Sequence, residues 1–199
     1  QVLVATGMWP CPTATPANAV IHGKVDRPEY TVEKVYFESF PGHFVTGSLY
    51  RPKGKSGRLP AVLCPHGHWS NGRFHDAGEN AVKTQIEQKA EQFEVGGRHP
   101  LQARCVQLAR MGCVVFHYDM VGYADSQQIP HRPGIREKMN TPKDWGYFSP
   151  QAELRMQNMM GLQTYNSTRV LDWFGDLPEV DPKRIGVTGA SGGGTQTFI

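Results

Sequence analysis

The sequence predicts an α/β domain with a mostly parallel β-sheet, and three observations support this fold class. Residues 59–64 and 113–118 are continuous apolar runs, the pattern of strands that are buried on both faces of a parallel sheet. Residues 100–110 lie between these runs and carry apolar side chains at helical spacing. A further short strand at residues 184–188 runs directly into a glycine-rich turn around Ser191. Strand, helix and strand in this order form the crossover unit that parallel sheets require.

The N-terminal part of the chain predicts two further elements. Residues 1–29 are rich in Pro, Ala and Thr and have little periodicity, which indicates an extended arm on a surface. Residues 30–38 and 43–50 are β-branched and aromatic runs on either side of a Pro-Gly pair, which predicts an antiparallel hairpin. We therefore expect the α/β domain to comprise residues 30–199.

Two more helical segments are predicted between the strands. Residues 81–93 are a polar, helix-compatible piece within a long insertion at residues 71–98. Ser149 followed by Pro150 is typical of a helix start, because serine caps the first turn and proline fits its first position. The apolar spacing that follows predicts one long helix through Trp173.

Composition narrows the classes of partner. The chain has 199 residues and a formal charge of +3, with 39% hydrophobic and 20% charged residues, which fits one globular domain. Its lysines and arginines are scattered, so we expect no nucleic-acid partner. No apolar run approaches the roughly 18–20 residues that a membrane-spanning helix needs, so we expect no membrane association. The four cysteines lack metal-ligand spacing, and the sequence leaves their disulfide state open.

The turn around Ser191 matches the pattern G-x-S-x-G. In a nucleophile elbow, a serine sits on a sharp turn between a strand and a helix, where its hydroxyl is exposed. Gly189 and Gly193 would be the small residues that keep this turn free of clashes, and the Gly192 N–H would face an oxyanion. A glycine-rich phosphate-binding turn is the alternative interpretation, although no G-x-x-x-x-G-K-[ST] or G-x-G-x-x-G pattern accompanies it.

The loop after the apolar strand at residues 59–64 contains a His-Gly-His sequence. An H-G motif in this position supplies a second oxyanion-hole donor, so we expect the His68 N–H to be that donor and His66 and Gly67 to shape the loop. The competing interpretation is a metal site, because His66 and His68 together with His75 and Asp76 are residue types that bind zinc.

A third motif follows the strand at residues 113–118. Asp119 to Ser126 resembles the D-x-x-G-x-G-x-S segment that is common in α/β-hydrolases, with Ala124 in place of the second glycine. We expect Asp119 and Gly122 to shape a turn by side-chain capping and backbone freedom, and we do not expect Asp119 to be a catalytic acid.

The hairpin, the H-G loop, the D-x-x-G turn and the serine turn occur in the order found in the α/β-hydrolase fold. Residues 30–52, 160–173 and 177–198 further resemble bacterial acetylxylan esterase-like hydrolases, which are related to cephalosporin C deacetylases. This resemblance implies hydrolysis of a small ester, such as an acetyl group on a carbohydrate, by a secreted or periplasmic enzyme. It implies that Ser191 forms an acyl-enzyme, that His68 and Gly192 bind the oxyanion, and that no metal or other cofactor takes part.

The remaining members of a catalytic triad are missing from their usual place. In this fold the chain order is Ser, then Asp or Glu, then His, but all eight histidines precede Ser191 and the sequence ends at Ile199. We therefore expect the N-terminal part of a longer enzyme, truncated after the nucleophile elbow, with an exposed edge strand at residues 184–188 through which the chain could associate. The alternatives are a prolyl-oligopeptidase-like peptidase and a non-catalytic α/β-hydrolase-like binding domain.

Overall fold

The computed structural model describes residues 1–129 and 150–199, and the centre of this part is a six-stranded β-sheet. The strands are β1 (Val20–Asp26), β2 (Tyr30–Phe40), β3 (His43–Pro52), β4 (Leu59–Leu63), β5 (Val114–Tyr118) and β6 (Val180–Val187). The helices are α1 (Val2–Ala5), α2 (Glu79–Glu87), α3 (Glu94–Arg98), α4 (Pro100–Arg110), α5 (Pro150–Glu153), α6 (Met159–Gly175) and α7 (Gly192–Phe198), with a short 3₁₀ helix at Gly72–Phe74. The strand order is β1-β2-β3-β5-β4-β6.

The first three strands form the antiparallel half of the sheet. β2 and β3 pair with Val32 opposite Tyr50, which confirms the predicted hairpin. β1 in turn pairs antiparallel with β2. The prediction of an extended arm over residues 1–29 is therefore wrong for β1, and the sheet begins before residue 30. Because every side chain of β1 is exposed, no alternation of apolar and polar residues could have indicated this strand.

The last three strands form the parallel half. β4 pairs in parallel with both β5 and β6, which confirms the predicted strand-helix-strand unit and the final strand. Because β3 pairs antiparallel with β5, the sheet is mixed where mostly parallel pairing had been predicted. β6 is an edge strand of the described sheet, as expected. Association through this edge stays a prediction.

Two of the predicted helices differ in their bounds. Helix α4 covers the predicted residues and ends before Gly112, whose φ of 99° favours glycine. The predicted long helix is divided into α5 and α6, because the Asn158 side chain accepts a hydrogen bond from the Gly161 N–H and begins a new helix there. Helices α2 and α3 replace the single piece predicted at residues 81–93. The predicted cap Ser149 lies outside the described residues.

Successive strand residues point to opposite sides, so the sheet has two buried faces. We call the side covered by α6 the α6 face. Its core is apolar and consists of Val35, Phe37, Val45, Leu49, Ala61, Leu63, Val114, Phe116, Tyr118, Val170, Phe174 and Val180. The aromatic rings of Phe116 and Trp173 meet edge to face here, with 4.9 Å between their centroids. This face joins α6 to the sheet through close apolar packing.

We call the opposite side, covered by α4, the α4 face. Its apolar part consists of Tyr50, Cys64, Cys105, Ala109 and Val115. Toward the carboxyl end of β5 the same face becomes polar, because His117 and then Asp119 follow Val115 at alternate positions, both buried. The loops after β4, β5 and β6 leave the sheet at this same edge, since the three strands run in parallel. The carboxyl ends of parallel strands are where α/β proteins usually bind their ligands.

Candidate active site

Ser191 lies at a sharp turn between β6 and α7. Its backbone angles are φ 55° and ψ −126°, a conformation that costs free energy in any residue with a side chain. The residue is exposed, and its carbonyl accepts the first helical hydrogen bond from the Thr195 N–H at 3.0 Å. The turn therefore holds a strained, solvent-accessible serine at the start of a helix, which is the local geometry expected of a nucleophile elbow.

The glycines on either side of Ser191 are required by close backbone contacts. A Cβ atom on Gly189 would lie 2.4 Å from the carbonyl oxygen of Gly193. A Cβ atom on Gly193 would lie 2.3 Å from the carbonyl oxygen of Pro65. Both distances are far below van der Waals contact, so no side chain fits at either position. The serine turn is thereby pressed against the loop that follows β4.

The same loop brings the two expected oxyanion-hole residues together. A Cβ atom on Gly67 would lie 2.8 Å from the Ser191 Cβ, so the backbone of this loop contacts the serine directly. A Cβ atom on Gly192 would lie 2.7 Å from Cε1 of the His68 ring. His68 and Gly192 are therefore neighbours on one side of Ser191. Their role as oxyanion donors stays a prediction.

His66 is fully buried beneath this loop and bonded at both ring nitrogens. Its Nδ1 lies 2.7 Å from the carbonyl oxygen of Gly67, and its Nε2 accepts the Met120 N–H at 3.1 Å. Because both nitrogens are engaged with the backbone, His66 has none left for a metal ion. This geometry argues against the metal site that was the alternative interpretation of the loop.

Asp119 organises the turn after β5. It is buried and accepts hydrogen bonds from the Thr46 hydroxyl at 2.6 Å and from the Asp125 N–H at 3.2 Å. The guanidinium of Arg73, which is 1% exposed, forms an ion pair with it. Asp119 thus caps the turn from inside the protein, in the manner expected from the motif.

Arg73 is the residue of this region that the sequence did not reveal. Its Nε donates to the Ser48 hydroxyl at 3.1 Å, and its Nη2 pairs with Asp125 at 2.5 Å. Burial alone would lower the pKa of Arg73, but the adjacent Asp119 carboxylate raises it above its ordinary value. The residue belongs to no motif and lies in the long insertion, so no local pattern could have indicated its role.

The turn itself contains one departure from the D-x-x-G-x-G-x-S pattern. Gly122 has a φ of 82° and donates its N–H to the Ser126 carbonyl at 2.7 Å. Ala124, which replaces the second glycine of the motif, has a φ of 46°. This left-handed conformation disfavours residues with a Cβ, so the turn keeps a glycine-type backbone without the glycine.

Two findings, one on metal binding and one on membrane-spanning helices, concern residues 1–129 and 150–199 only. Within these ranges, no three His, Cys, Asp or Glu side chains are grouped so that they could hold a metal ion. None of the helices in the same ranges is long and apolar enough to cross a membrane.

The fold is similar to that of several solved esterases. A methylesterase aligns over 98% of this chain and 35% of its own, with 26% identity and a TM-score of 0.66. An acetyl xylan esterase from a Paenibacillus species aligns over 92% of this chain and 48% of its own, with 20% identity and a TM-score of 0.56. Acetyl xylan esterase 1 from a Thermoanaerobacterium species aligns over 92% of this chain and 48% of its own, with 16% identity and a TM-score of 0.55. Comparisons with protein-family models and with curated proteins gave no match.

These structures support the sequence analysis at the level of the fold. They confirm the α/β-hydrolase fold, which this chain shares with the methylesterase and with the two acetyl xylan esterases. The chain spans about a third to a half of the length of the solved proteins that it matches.

Proposed function

We propose that this chain carries the nucleophile and the oxyanion hole of a carboxylic ester hydrolase. The observation that supports this most directly is the strained, exposed Ser191, with the backbone of Gly67 in contact with its Cβ. A strained backbone conformation costs free energy that the rest of the fold must offset. Such conformations are therefore found mainly at functional sites. The turn thus combines the two requirements of acyl transfer, an accessible nucleophile and backbone N–H groups next to it.

The proposed reaction has two steps. The Ser191 oxygen attacks the ester carbonyl, and the N–H groups of His68 and Gly192 stabilise the negative oxygen of the tetrahedral intermediate. The alcohol leaves with a proton, and an acyl-enzyme remains on Ser191. Water then attacks the acyl carbon and releases the carboxylic acid, which restores the serine hydroxyl.

The base that accepts the serine proton is not assigned to any residue of this sequence. In this fold the acid and the base follow the nucleophile in the chain, whereas residues 192–199 contain no Asp, Glu or His. The buried side chains of His66 and His117 do not fill the role either. Both nitrogens of His66 are bonded to the backbone, and burial, followed by the nearby His66, lowers the pKa of His117 well below its ordinary value.

The proposed substrate is an acetyl ester on a carbohydrate. This follows from the motif resemblance and from the two acetyl xylan esterases with the same fold. The same proposal includes a secreted or periplasmic enzyme, because a plant polysaccharide that carries such acetyl groups lies outside the cell. A methyl ester is the second candidate, because the methylesterase shares 26% identity with this chain.

Fluorophosphonate labelling of the full-length protein tests the nucleophile. We expect the Ser191→Ala variant to lose all labelling, because the probe reacts only with an activated serine. Ser70→Ala is the matched control, since Ser70 is an exposed serine in the neighbouring loop, and we expect it to label as the parent does. Equal labelling of Ser191→Ala and the parent would refute the proposal.

Substrate choice is tested on the same full-length protein. We expect release of acetate from acetylated xylan, with much slower release of methanol from methyl esters and no cleavage of peptides. Methanol release without acetate release would favour the second candidate. Peptide cleavage would favour a prolyl-oligopeptidase-like activity, and stoichiometric binding without turnover would favour the non-catalytic alternative.

A further inference from the structure

We propose that His66 is a positioning residue, which turns the Gly67–His68 peptide so that the His68 N–H faces the oxyanion. This inference rests on the proposed function, because it concerns the hole in which His68 would act. It concerns a side chain that does not touch the substrate but is buried behind the loop that does. Four features of the structure support this role. They are the hydrogen bonds of the His66 ring, the direction of the peptide that follows Gly67, the confinement of the ring, and the buried polar groups beside it.

The hydrogen bonds of His66 determine which nitrogen carries its proton. The Met120 N–H can only donate, so the Nε2 atom that lies 3.1 Å from it must accept and can carry no proton. A neutral imidazole has one proton, which therefore lies on Nδ1. The Nδ1–H donates to the Gly67 carbonyl oxygen at 2.7 Å. The Nδ1–H tautomer is the one that satisfies both contacts.

The bond to Gly67 fixes the direction of the next N–H group. The Gly67 carbonyl and the His68 N–H belong to one planar peptide unit, in which the C=O and N–H bonds point in opposite directions. Because the carbonyl points to the buried ring of His66, the His68 N–H points away from it. The peptide begins at Gly67, whose absent Cβ would lie 2.8 Å from the Ser191 Cβ. An N–H turned away from the buried ring, on a peptide this close to Ser191, is what the proposed oxyanion contact requires.

The ring of His66 has no room to turn. A Cβ atom on Gly72 would lie 2.8 Å from both Cε1 and Nε2, so the Gly72 backbone covers that edge of the ring. The ring meets Tyr123 edge to face, with 5.7 Å between centroids. Gly72 itself is held in place because the adjacent Arg73 is paired with Asp119 inside the protein. The ion pair therefore holds the backbone that confines the histidine.

Two buried groups, Asp119 and His117, lie beside the ring. Oδ1 of Asp119 lies 3.7 Å from Nε2, but this carboxylate is already neutralised by Arg73. His117 meets the ring edge to face on the other side, with 6.1 Å between centroids. A proton on Nε2 would displace the Met120 N–H and leave that buried donor without a partner, which is costly.

The variants separate positioning from simple burial. In His66→Asn the Nδ2 group can replace the Nδ1–H donor to Gly67, whereas in His66→Gln the amide oxygen can replace Nε2 as acceptor for Met120. His66→Leu replaces neither. His117→Gln is the matched control, since His117 is equally buried on the same face and neither of its ring nitrogens has a hydrogen-bond partner among the described residues.

The kinetic test uses p-nitrophenyl acetate and the full-length protein. We expect kcat of His66→Leu to fall by about 10²–10³-fold, the effect of losing one oxyanion donor, with KM nearly unchanged. His66→Asn is expected to recover about tenfold or more of this loss, and His66→Gln less. His117→Gln is expected to keep the parent kcat. A His66→Asn variant no better than His66→Leu, or an equal loss in His117→Gln, would overturn the proposal.

A structural test does not depend on activity. Long-range ¹H–¹⁵N correlation spectra of the parent are expected to show His66 with a protonated Nδ1, and crystal structures are expected to show the Gly67–His68 peptide rotated in His66→Leu only. An Nε2–H tautomer, or an unrotated peptide in a folded His66→Leu, would contradict the positioning role. A parent that shows the expected tautomer and peptide but neither labels nor hydrolyses esters would contradict only the proposed function.

Discussion

Both faces of the sheet contain buried residues, but they differ in what they bury. On the α6 face, Phe116 and Phe174 are fully buried among other apolar side chains. On the α4 face, the apolar packing of Cys105 and Val115 gives way to the ion pair of Arg73 and Asp119. The polar part lies at the carboxyl ends of the strands, directly beneath the loops that surround the serine turn.

Because of this difference, the two faces contribute differently to the stability of the fold and to the orientation of its polar groups. Apolar burial stabilises a fold by about 25 cal/mol per Å² and has no preferred direction. A buried ion pair contributes little net free energy, because the desolvation of both charges offsets their attraction, but hydrogen bonds fix the directions of the groups that take part. The larger apolar core of the α6 face therefore contributes more net stability, and we interpret the polar part of the α4 face as the support of the site loops.

The largest effect is expected from breaking the ion pair on the α4 face. Arg73→Met leaves the Asp119 carboxylate buried without its partner, which should lower the free energy of unfolding by about 3–5 kcal/mol. Urea denaturation followed by circular dichroism measures this change. Arg98→Met is the control, because Arg98 and Asp76 form an exposed pair whose loss should cost less than about 1 kcal/mol. Equal losses in both variants would contradict the comparison.

A double variant sharpens the same test. Arg73→Met combined with Asp119→Leu removes both buried charges, so part of the lost stability is expected to return. The rate of fluorophosphonate labelling at Ser191 is expected to be lower than in the parent in both the single and the double variant, because both lack the hydrogen bonds that direct the loop. Recovery of both stability and labelling would show that the polar cluster has no role in positioning.

A medium effect is expected on the α6 face. Val170→Ala removes two buried methyl groups and should lower the free energy of unfolding by about 2 kcal/mol. Leu171→Ala is the adjacent control, since Leu171 is 44% exposed on the same helix and its loss should change stability by only about 0.5 kcal/mol. Labelling of Ser191 should remain at the parent rate in both. Slower labelling in a folded Val170→Ala variant would show that this face also positions the site.

The smallest effect concerns pH and the buried His117. Burial is the main reason that the pKa of His117 lies well below the ordinary value of 6.5, and the nearby His66 lowers it further. Below about pH 6.5 the unfolded chain binds a proton that the folded chain does not, so the stability present above that pH is lost as the pH falls. The expected slope is up to about 1.4 kcal/mol per pH unit. Urea denaturation at about pH 7.5 and about pH 5.5 should show a shallower dependence for His117→Gln than for the parent. Identical slopes would place the titration elsewhere.

The parts of the fold that the sequence predicted are those with a strong local pattern. The continuous apolar runs became β4 and β5, and the β-branched runs around the Pro-Gly pair became the hairpin of β2 and β3. The strand β1 was missed because its exposed side chains show no alternation. The division between α5 and α6 was missed because apolar spacing continues across it, although Asn158 begins the second helix.

The candidate site could be predicted in part for the same reason. Ser191, His68 and Gly192 belong to short motifs whose glycines are required by close contacts, such as the 2.4 Å that a Cβ on Gly189 would leave to Gly193. Arg73 could not be predicted, because its partner Asp119 lies 46 residues away and no motif joins them. The bond from the Met120 N–H to His66 likewise joins two loops.

The sequence by itself determined the fold class, the serine turn and the two loops around it, because each depends on the steric and hydrophobic properties of contiguous residues. The tertiary structure decided which groups support these loops, the mixed pairing of the sheet and the hydrogen-bond partners of His66. These groups become buried, and find their partners and orientations, only when segments that are distant in the chain are brought together. The segments of Arg73 and Asp119 are an example.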